Sequence, residues 1–396
     1  MHRFILWLKN LFKKDIMLSL SLLVAVISLF ITPPSKELLT DINWRTLATL
    51  FMLLSVLEGF KNENIFAPII RRTKNFSSLK TLTIFFVFCV FFSSMFVTND
   101  VSLIIFVPLT IILFRAAGKE KYILPVLTFE NIAAIRGSLL MPFGSPQNLF
   151  LYAKSGISTA DFILMMLPLW IFSVFLLYLF ISILYLRDRG KSENNQVMIF
   201  ENAPENQESE VSESDRKLHH KRRIMYLLLF VIVVASIVSR TRYYPLLLAL
   251  VTLTLLIGDR KILVKTDYVL LLTFLCFFTF SSSICRHPAI SAFLSESVAG
   301  HEYVWSILLS QVISNVPASI VLYPFSTDLR ALLYGLDSAG LCSIIGSLAS
   351  VINLRLYARE YPGKSFAFIK TFTWISLVFF AIVVLPQLWL ILYCQR

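Results

Sequence analysis

Phe96-Val-Thr-Asn-Asp-Val-Ser-Leu-Ile-Ile-Phe-Val-Pro108 sets three consecutive polar residues in the middle of a long apolar run and ends on a proline. A second copy, Ile313-Ser-Asn-Val-Pro-Ala-Ser-Ile-Val-Leu-Tyr-Pro324, lies in the distal part of the chain. In both, an Asn follows a hydroxyl residue and a Pro comes nine positions after the Asn. Polar groups inside a membrane segment cost free energy, so two matched sets point to a site built twice.

The surrounding composition is that of an integral membrane protein. Of 396 residues, 57% are hydrophobic, 14% aromatic and only 15% charged, and mean hydropathy is +0.75. Soluble domains carry more charge and less apolar surface. The net charge of +12 is a topology signal, because Lys and Arg cluster between apolar runs, and it gives no footprint for nucleic acid. Cys89, Cys276, Cys285, Cys342 and Cys394 have no paired spacing, and the five histidines fall outside the apolar cores. Neither a disulfide framework nor a metal site is expected.

In chain order, residues 1–16 form a basic cytoplasmic segment, and 17–32 and 43–60 read as spans, with Lys61, Arg71, Arg72, Lys74 and Lys80 marking the inner side. The first span is retained, since Thr32-Pro-Pro-Ser offers no small-residue cleavage site. Residues 81–97 and 101–115, flanked by basic residues on both sides, are each shorter than a spanning helix needs. They read either as two short spans joined by an outer turn at Thr98-Asn99-Asp100, or as a re-entrant hairpin. Residues 122–152 make a span broken by Gly137, Pro142, Gly144 and Pro146, tolerated in lipid only where the freed backbone is buried in protein or faces a cavity. A further span, 162–186, closes the first half, 17–186. The polar stretch 187–223 reads as a flexible cytoplasmic linker. The second half, 224–396, gives spans at 224–239, 243–258 and 267–285, a hairpin at 303–327, a Gly/Ser-rich broken span at 333–354 and a last span at 371–393.

The charge pattern brings the first hairpin in from the cytoplasmic side and the second from the outside, which is the parity of an inverted repeat. Asn148-Leu-Phe-Leu-Tyr-Ala-Lys154 against Asn353-Leu-Arg-Leu-Tyr-Ala-Arg359 is a second internal match in the same order. At the tips, Thr98, Asn99, Ser314 and Asn315 read either as helix caps or as ion ligands. Asp100 is ordinary in an exposed turn, but a cation ligand or proton carrier in a buried tip; its copy is Val316. Glu130 and Arg136, six apart, lie on different helix faces, and each pairs with a neighbouring helix, unless Arg136 turns to the cavity to meet Asp100 or an anion. Glu58 reads as interfacial. Gly363-Lys364-Ser365 and Gly190-Lys191-Ser192 lack the earlier glycine of a phosphate loop, and no HExxH or GxSxG is present, so neither a nucleotide-driven pump nor a hydrolase is expected.

On these residues the sequence resembles the ion transporter superfamily of citrate-transporter-like permeases, arsenite permeases, sodium/proton antiporters and divalent anion–sodium symporters. It is most similar to bacterial inner-membrane permeases of the citrate-transporter-like group. Val97-Thr-Asn-Asp-Val and Ser310-Gln-Val-Ile-Ser-Asn-Val-Pro317 match the family's two hairpin tips, and Pro142-Phe-Gly-Ser-Pro-Gln-Asn148 resembles its Thr-Pro-x-Gly-Asn-Pro-Gln-Asn. The resemblance implies two re-entrant hairpins and two broken helices around substrate and coupling ion, with a core that moves against a scaffold. It also implies a site of Thr98, Asn99, Asp100, Gly144, Ser145 and Asn148 with Ser314, Asn315, Ser350 and Asn353. Met141 and Ser145 stand where the family has Thr and Asn, and Arg136 where a small or amide residue is usual. These departures suggest that Arg136 replaces a bound cation, or that coupling uses protons through Asp100. The first half has one span fewer than usual.

The expected molecule is an all-α polytopic membrane protein, an inverted-repeat transporter with about nine spanning helices, two hairpins and two broken helices. It sits in the bacterial inner membrane, N-terminus cytoplasmic and C-terminus outside. It is not an enzyme, needs no cofactor and couples to H+ or Na+. Its partners are membrane lipid, a small anionic or ionic substrate and, as a homodimer, a second copy, with no nucleic acid. Sodium/proton or arsenite exchange is the alternative, and a non-transporting receptor or scaffold is the alternative of another class.

Overall fold

The computed structural model describes residues 16–33, 36–63, 78–186, 213–239 and 241–394. The basic N-terminal segment, Arg71, Arg72, Lys74, Arg187, Arg189, Arg240 and the linker up to residue 212 lie outside the described residues. Every regular element among those described is helical.

The first half runs α1 (Ile16–Ile31), α2 (Lys36–Asp41), α3 (Trp44–Asn62), α4 (Leu79–Val97), α5 (Asn99–Ala116), α6 (Ile123–Gly137), α7 (Pro146–Ser155) and α8 (Thr159–Leu186). The second runs α9 (Glu213–Val238), α10 (Tyr244–Lys265), α11 (Tyr268–Arg286), α12 (Pro288–Val298), α13 (Glu302–Ile313), α14 (Asn315–Leu322), α15 (Leu329–Cys342), α16 (Leu348–Glu360) and α17 (Ser365–Cys394). Five described helices, α4, α5, α8, α11 and α17, are long and apolar enough to cross a membrane by length and composition. The chain is thus a polytopic membrane protein. Its outer surface is apolar, with Phe30 and Ile257 both 85% exposed, the pattern of side chains meant for lipid rather than water.

Three boundaries differ from the sequence reading. The arms of the first hairpin have 19 and 18 residues, so each is long enough to cross, whereas α13 and α14 have 12 and 8. The helix α9 begins at Glu213, ten residues before the linker was expected to end. Its start is anchored: Arg223 Nε donates to the Glu63 carbonyl oxygen at 3.0 Å, and His219 Nδ1 lies 2.6 Å from the Glu63 carboxylate. The short helix α12 was not foreseen; His287 caps it, and Pro288 follows at its first turn.

Each half presents a hairpin, a broken helix and a long closing helix in the same order. Small residues let these pieces meet, as expected where no hydrophobic force drives helices together in lipid. A Cβ on Gly137 would sit 2.0 Å from the Phe91 carbonyl oxygen of α4, and one on Gly335 would sit 2.6 Å from that of Tyr303 in α13. The broken helices also cross over: α7 packs on the second hairpin at α14, and α16 packs on the first at α5. The remaining scaffold pairs α1 with α11 and α3 with α10, and α3 also receives α9. No described helix of the first half takes the place of α9.

Candidate functional site

The two tips have one backbone shape. Thr98 has φ 70° and ψ 158°, Ser314 has φ 70° and ψ 157°, and these are the non-glycine residues with positive φ among those described. That region is close to glycine-only, since a Cβ there meets its own backbone. Both residues are buried, and neither side chain caps the helix that follows. The capping reading of these hydroxyls therefore fails in this conformation, and the Ser314 hydroxyl has no hydrogen-bond partner.

The tips are interior. Asn99 is 5% exposed and Asn315 2%, so Thr98-Asn99-Asp100 is not a solvent-exposed turn. Asn315 is held by its backbone N–H donating to the Gly346 carbonyl oxygen at 3.2 Å and its amide donating to that of Leu336 at 3.4 Å. In the first tip the Asn99 Oδ1 accepts from the Asp100 N–H at 3.0 Å, and the Ser102 hydroxyl donates to the Thr98 carbonyl oxygen at 2.9 Å.

The breaks in the two broken helices are also alike. Gly144 and Gly346 each precede a serine in extended conformation that opens the next helix, Ser145 and Ser347. A Cβ on Gly144 would lie 2.3 Å from the Ser138 carbonyl oxygen, and one on Gly346 would lie 2.1 Å from that of Ala339. Only glycine lets the chain fold back on the preceding helix so closely. Ser145 caps α7 by accepting from the Asn148 N–H at 3.4 Å, with Pro146 at the first position. Counted from these serines, Asn148 corresponds to Ser350, and Asn353 lies one turn further on.

The first tip and first break meet in a cavity of ≈ 480 Å³, bordered by Thr98, Asp100, Ser145 and Pro146 and, across from them, by Glu58, Lys61, Lys265 and Asp267 of the scaffold. Glu58 pairs with Lys61 at 3.2 Å within α3. Beyond Asp100 a second, small space of ≈ 10 Å³, about one water molecule, is bordered by Asn99, Asp100, Gln147, Asn315 and Ser347. Both tips and both breaks thus contribute to one spot, and Asp100 borders both spaces. Buried oxygens without a partner gather on these elements: Oδ1 of Asp100, Oε1 of Gln147 and Oδ1 of Asn148.

Of the predicted residues, Thr98, Asn99, Asp100, Ser145 and Asn315 border these spaces; Ser314 adjoins them at the second tip, and Gly144 shapes the first break. Asn148 turns back to the Ser138 carbonyl oxygen at 3.5 Å. Ser350 and Asn353 do not join them. Asn353 donates to the Leu127 carbonyl oxygen at 2.8 Å, and Ser350 accepts from the Asn131 amide at 2.9 Å, so both fasten α16 to α6. Arg136 does not pair with Asp100: its Nε donates to the Ser173 hydroxyl of α8 at 2.9 Å, and the carboxylate acting on it is Asp337. Being on the last turn of α6, its side chain crosses toward α8 and α15 rather than back to the hairpin. Glu130 accepts from Thr110 of α5, a neighbouring helix as expected.

Sequence reasoning passed over Asp337, Asp267, Asn131 and the role of Gln147. A signal existed for Asp337, a lone carboxylate inside the apolar run Leu329–Cys342. Asp267 caps α11 and reads from sequence as a loop residue.

A model of the citrate transporter family CitMHS matches residues 4–339. An uncharacterized transporter of Methanocaldococcus jannaschii, MJ0456, is 30% identical over 324 residues, covering 81% of this chain and 83% of that one. The inner membrane protein YbiR of Escherichia coli K12 is 29% identical over 349 residues, covering 86% and 88%. These agree with the motif resemblance, and with a polytopic helical chain whose polar tips are buried. The chain belongs to the CitMHS citrate transporter family and is a membrane transporter, a permease rather than an enzyme.

Proposed function

We propose that the protein is a secondary active transporter that carries a small anion, a carboxylate or an inorganic oxyanion, across the cytoplasmic membrane by alternating access. It is driven by a gradient of H+ or Na+. The observation that carries this reading is the spot bordered by Asn99, Asp100, Gln147, Asn315 and Ser347, where both tips and both breaks converge. Helix ends at membrane depth offer N–H groups to anions and carbonyl groups to cations. The matched dihedral angles of Thr98 and Ser314 and the shared element order support an inverted repeat. The positive-inside rule assigns the ends of α3 and α10, with Lys61 and Lys265, to the cytoplasm, so the larger cavity is an inward-facing vestibule.

A second reading, exchange of Na+ for protons, is favoured by one feature: Asp100 and Asp267 both face the vestibule. With Glu58 and Lys61 paired, these two carboxylates outnumber Lys265, and the surplus of negative charge disfavours a bare anion, so either a cation accompanies it or the cation is itself the cargo. Flux in proteoliposomes decides. The panel offers di- and tricarboxylates, sulfate, arsenite and sodium under imposed pH, sodium and voltage gradients. Gradient-driven accumulation of an anion is expected. Sodium movement alone would favour exchange, and ligand-induced thermal stabilisation with no flux of any solute would overturn the transporter reading.

A further inference from the structure

Arg136 and Asp337 are buried charges that the proposed path does not use, 0% and 1% exposed. They come from opposite halves: Arg136 ends α6, and Asp337 lies in the middle of α15, which packs on α6. Their charges act on one another without a direct ion pair. The Asp337 Oδ1 accepts from Gln147 at 3.3 Å, and Gln147 borders the small space between the tips. What is left over is one carboxylate oxygen, Oδ2 of Asp337, the Oε1 of Gln147, and both terminal nitrogens of Arg136. The hydroxyls packed around Arg136 are already committed, Tyr303 to Gln387 and Tyr334 to the Met165 carbonyl oxygen.

We propose that Asp337 determines ion selectivity in this transporter. Its carboxylate, held by Gln147, is neutralised by Arg136 as a built-in cation, so the core binds no free alkali cation there. The proposal rests on the transport reading of the adjoining tips. Two facts carry it. A buried carboxylate is stabilised by a counter-charge, and the cation acting on Asp337 across the packing of α6 on α15, that of Arg136, is covalently attached. Gln147 then couples this fixed pair to the transport path, because the same side chain touches Asp337 and borders the space between the tips.

Removing Arg136 frees a position that a small monovalent cation can fill, with oxygens from Asp337 and Gln147 as ligands. The test uses the purified full chain in detergent and reads Tm while sodium replaces choline at constant ionic strength. Arg136→Gln should show a saturable, sodium-dependent rise in Tm beyond that of the unsubstituted protein. Arg136→Lys should behave as the unsubstituted protein, and Arg136→Gln/Asp337→Asn should lose the extra rise. An Arg136→Gln protein indifferent to sodium, lithium and potassium, or a double variant with the same extra rise, overturns the proposal. Should Arg136→Gln fail to fold, the comparison moves to Asp337→Asn. It should lower Tm, and adding Arg136→Gln should restore it; additive losses overturn the pairing. These readouts need no flux, so failure of the transport reading and failure of the pair are told apart.

Discussion

Replacing Ser314 by glycine and by alanine separates what its backbone does from what its hydroxyl does. At φ 70° and ψ 157° a Cβ is strained, at about 1–3 kcal/mol for a non-glycine residue in this region. Alanine keeps that strain and removes the hydroxyl. Glycine removes both, and gives back about 0.4–1 kcal/mol through the greater freedom of the unfolded chain. The difference predicts Ser314→Gly to be more stable than Ser314→Ala by about 0–2.5 kcal/mol. Loss of the hydroxyl itself should change stability little, because the Ser314 Oγ has no hydrogen-bond partner. If that oxygen instead contacts the transported ion, both variants should lose flux together. The assay is Tm in detergent beside proteoliposome flux on the same preparations. A glycine variant less stable than the alanine variant would refute the strained tip. A glycine variant transporting at the unsubstituted rate would refute the role given to the hydroxyl. Thr98, at φ 70° and ψ 158°, should repeat the pattern.

Three further outcomes follow from other parts of the structure. Gly144→Ala and Gly346→Ala each force a methyl group toward a carbonyl oxygen, at 2.3 and 2.1 Å, and should lower stability by about 1–3 kcal/mol, read as Tm or folded yield. Asn353→Ala removes the tie from α16 to the Leu127 carbonyl oxygen and should lower Tm by the equivalent of about 0.5–1.5 kcal/mol, since one buried hydrogen bond is lost while that carbonyl keeps its place in the α6 helix. Asp41 lies between spans, where burial alone would raise its pKa, but hydrogen bonds from Ser282 and Arg286 outweigh it and hold the carboxyl below the usual carboxylate range. A lowered folded-state pKa means stability that is present above the unfolded value and lost as pH falls through the folded one. The Tm advantage of the unsubstituted protein over Asp41→Asn should therefore hold at neutral pH and shrink below about pH 4. It should be small, because the Asp41 side chain is 43% exposed.

Membrane character was readable from composition, because nothing but lipid accommodates so much Phe and Leu outside a core. The tips were readable because Thr98-Asn99 and Ser314-Asn315 interrupt apolar runs, and such interruptions need a reason. The contacts of Arg136 were not readable. Which neighbour a helix end meets is set by packing angles, so the sequence left Arg136 either pairing with a neighbouring helix or turning to Asp100, and it meets Ser173 of the neighbouring α8, with Asp337 acting on it. The match of Asn148 with Asn353 holds for the elements, each run lying in the second segment of its broken span, but not residue for residue. The two second segments begin at Ser145 and Ser347, so an alignment on the shared Leu-Tyr-Ala runs one turn out of step with the helix starts. Hairpin depth was also hidden, since charge returns to the same side whether a tip is buried or exposed. The burial of Asn99 and Asn315 shows only that neither tip is a solvent-exposed turn.

The central claim is that one transport site is shared by the two tips, and the most direct test is flux through Asn99→Ala and Asn315→Ala side by side. Both side chains border the same small space. Each variant is therefore expected to fold, with gradient-driven anion uptake in proteoliposomes falling to background in both. Uptake that survives in either variant would contradict a site built from both halves.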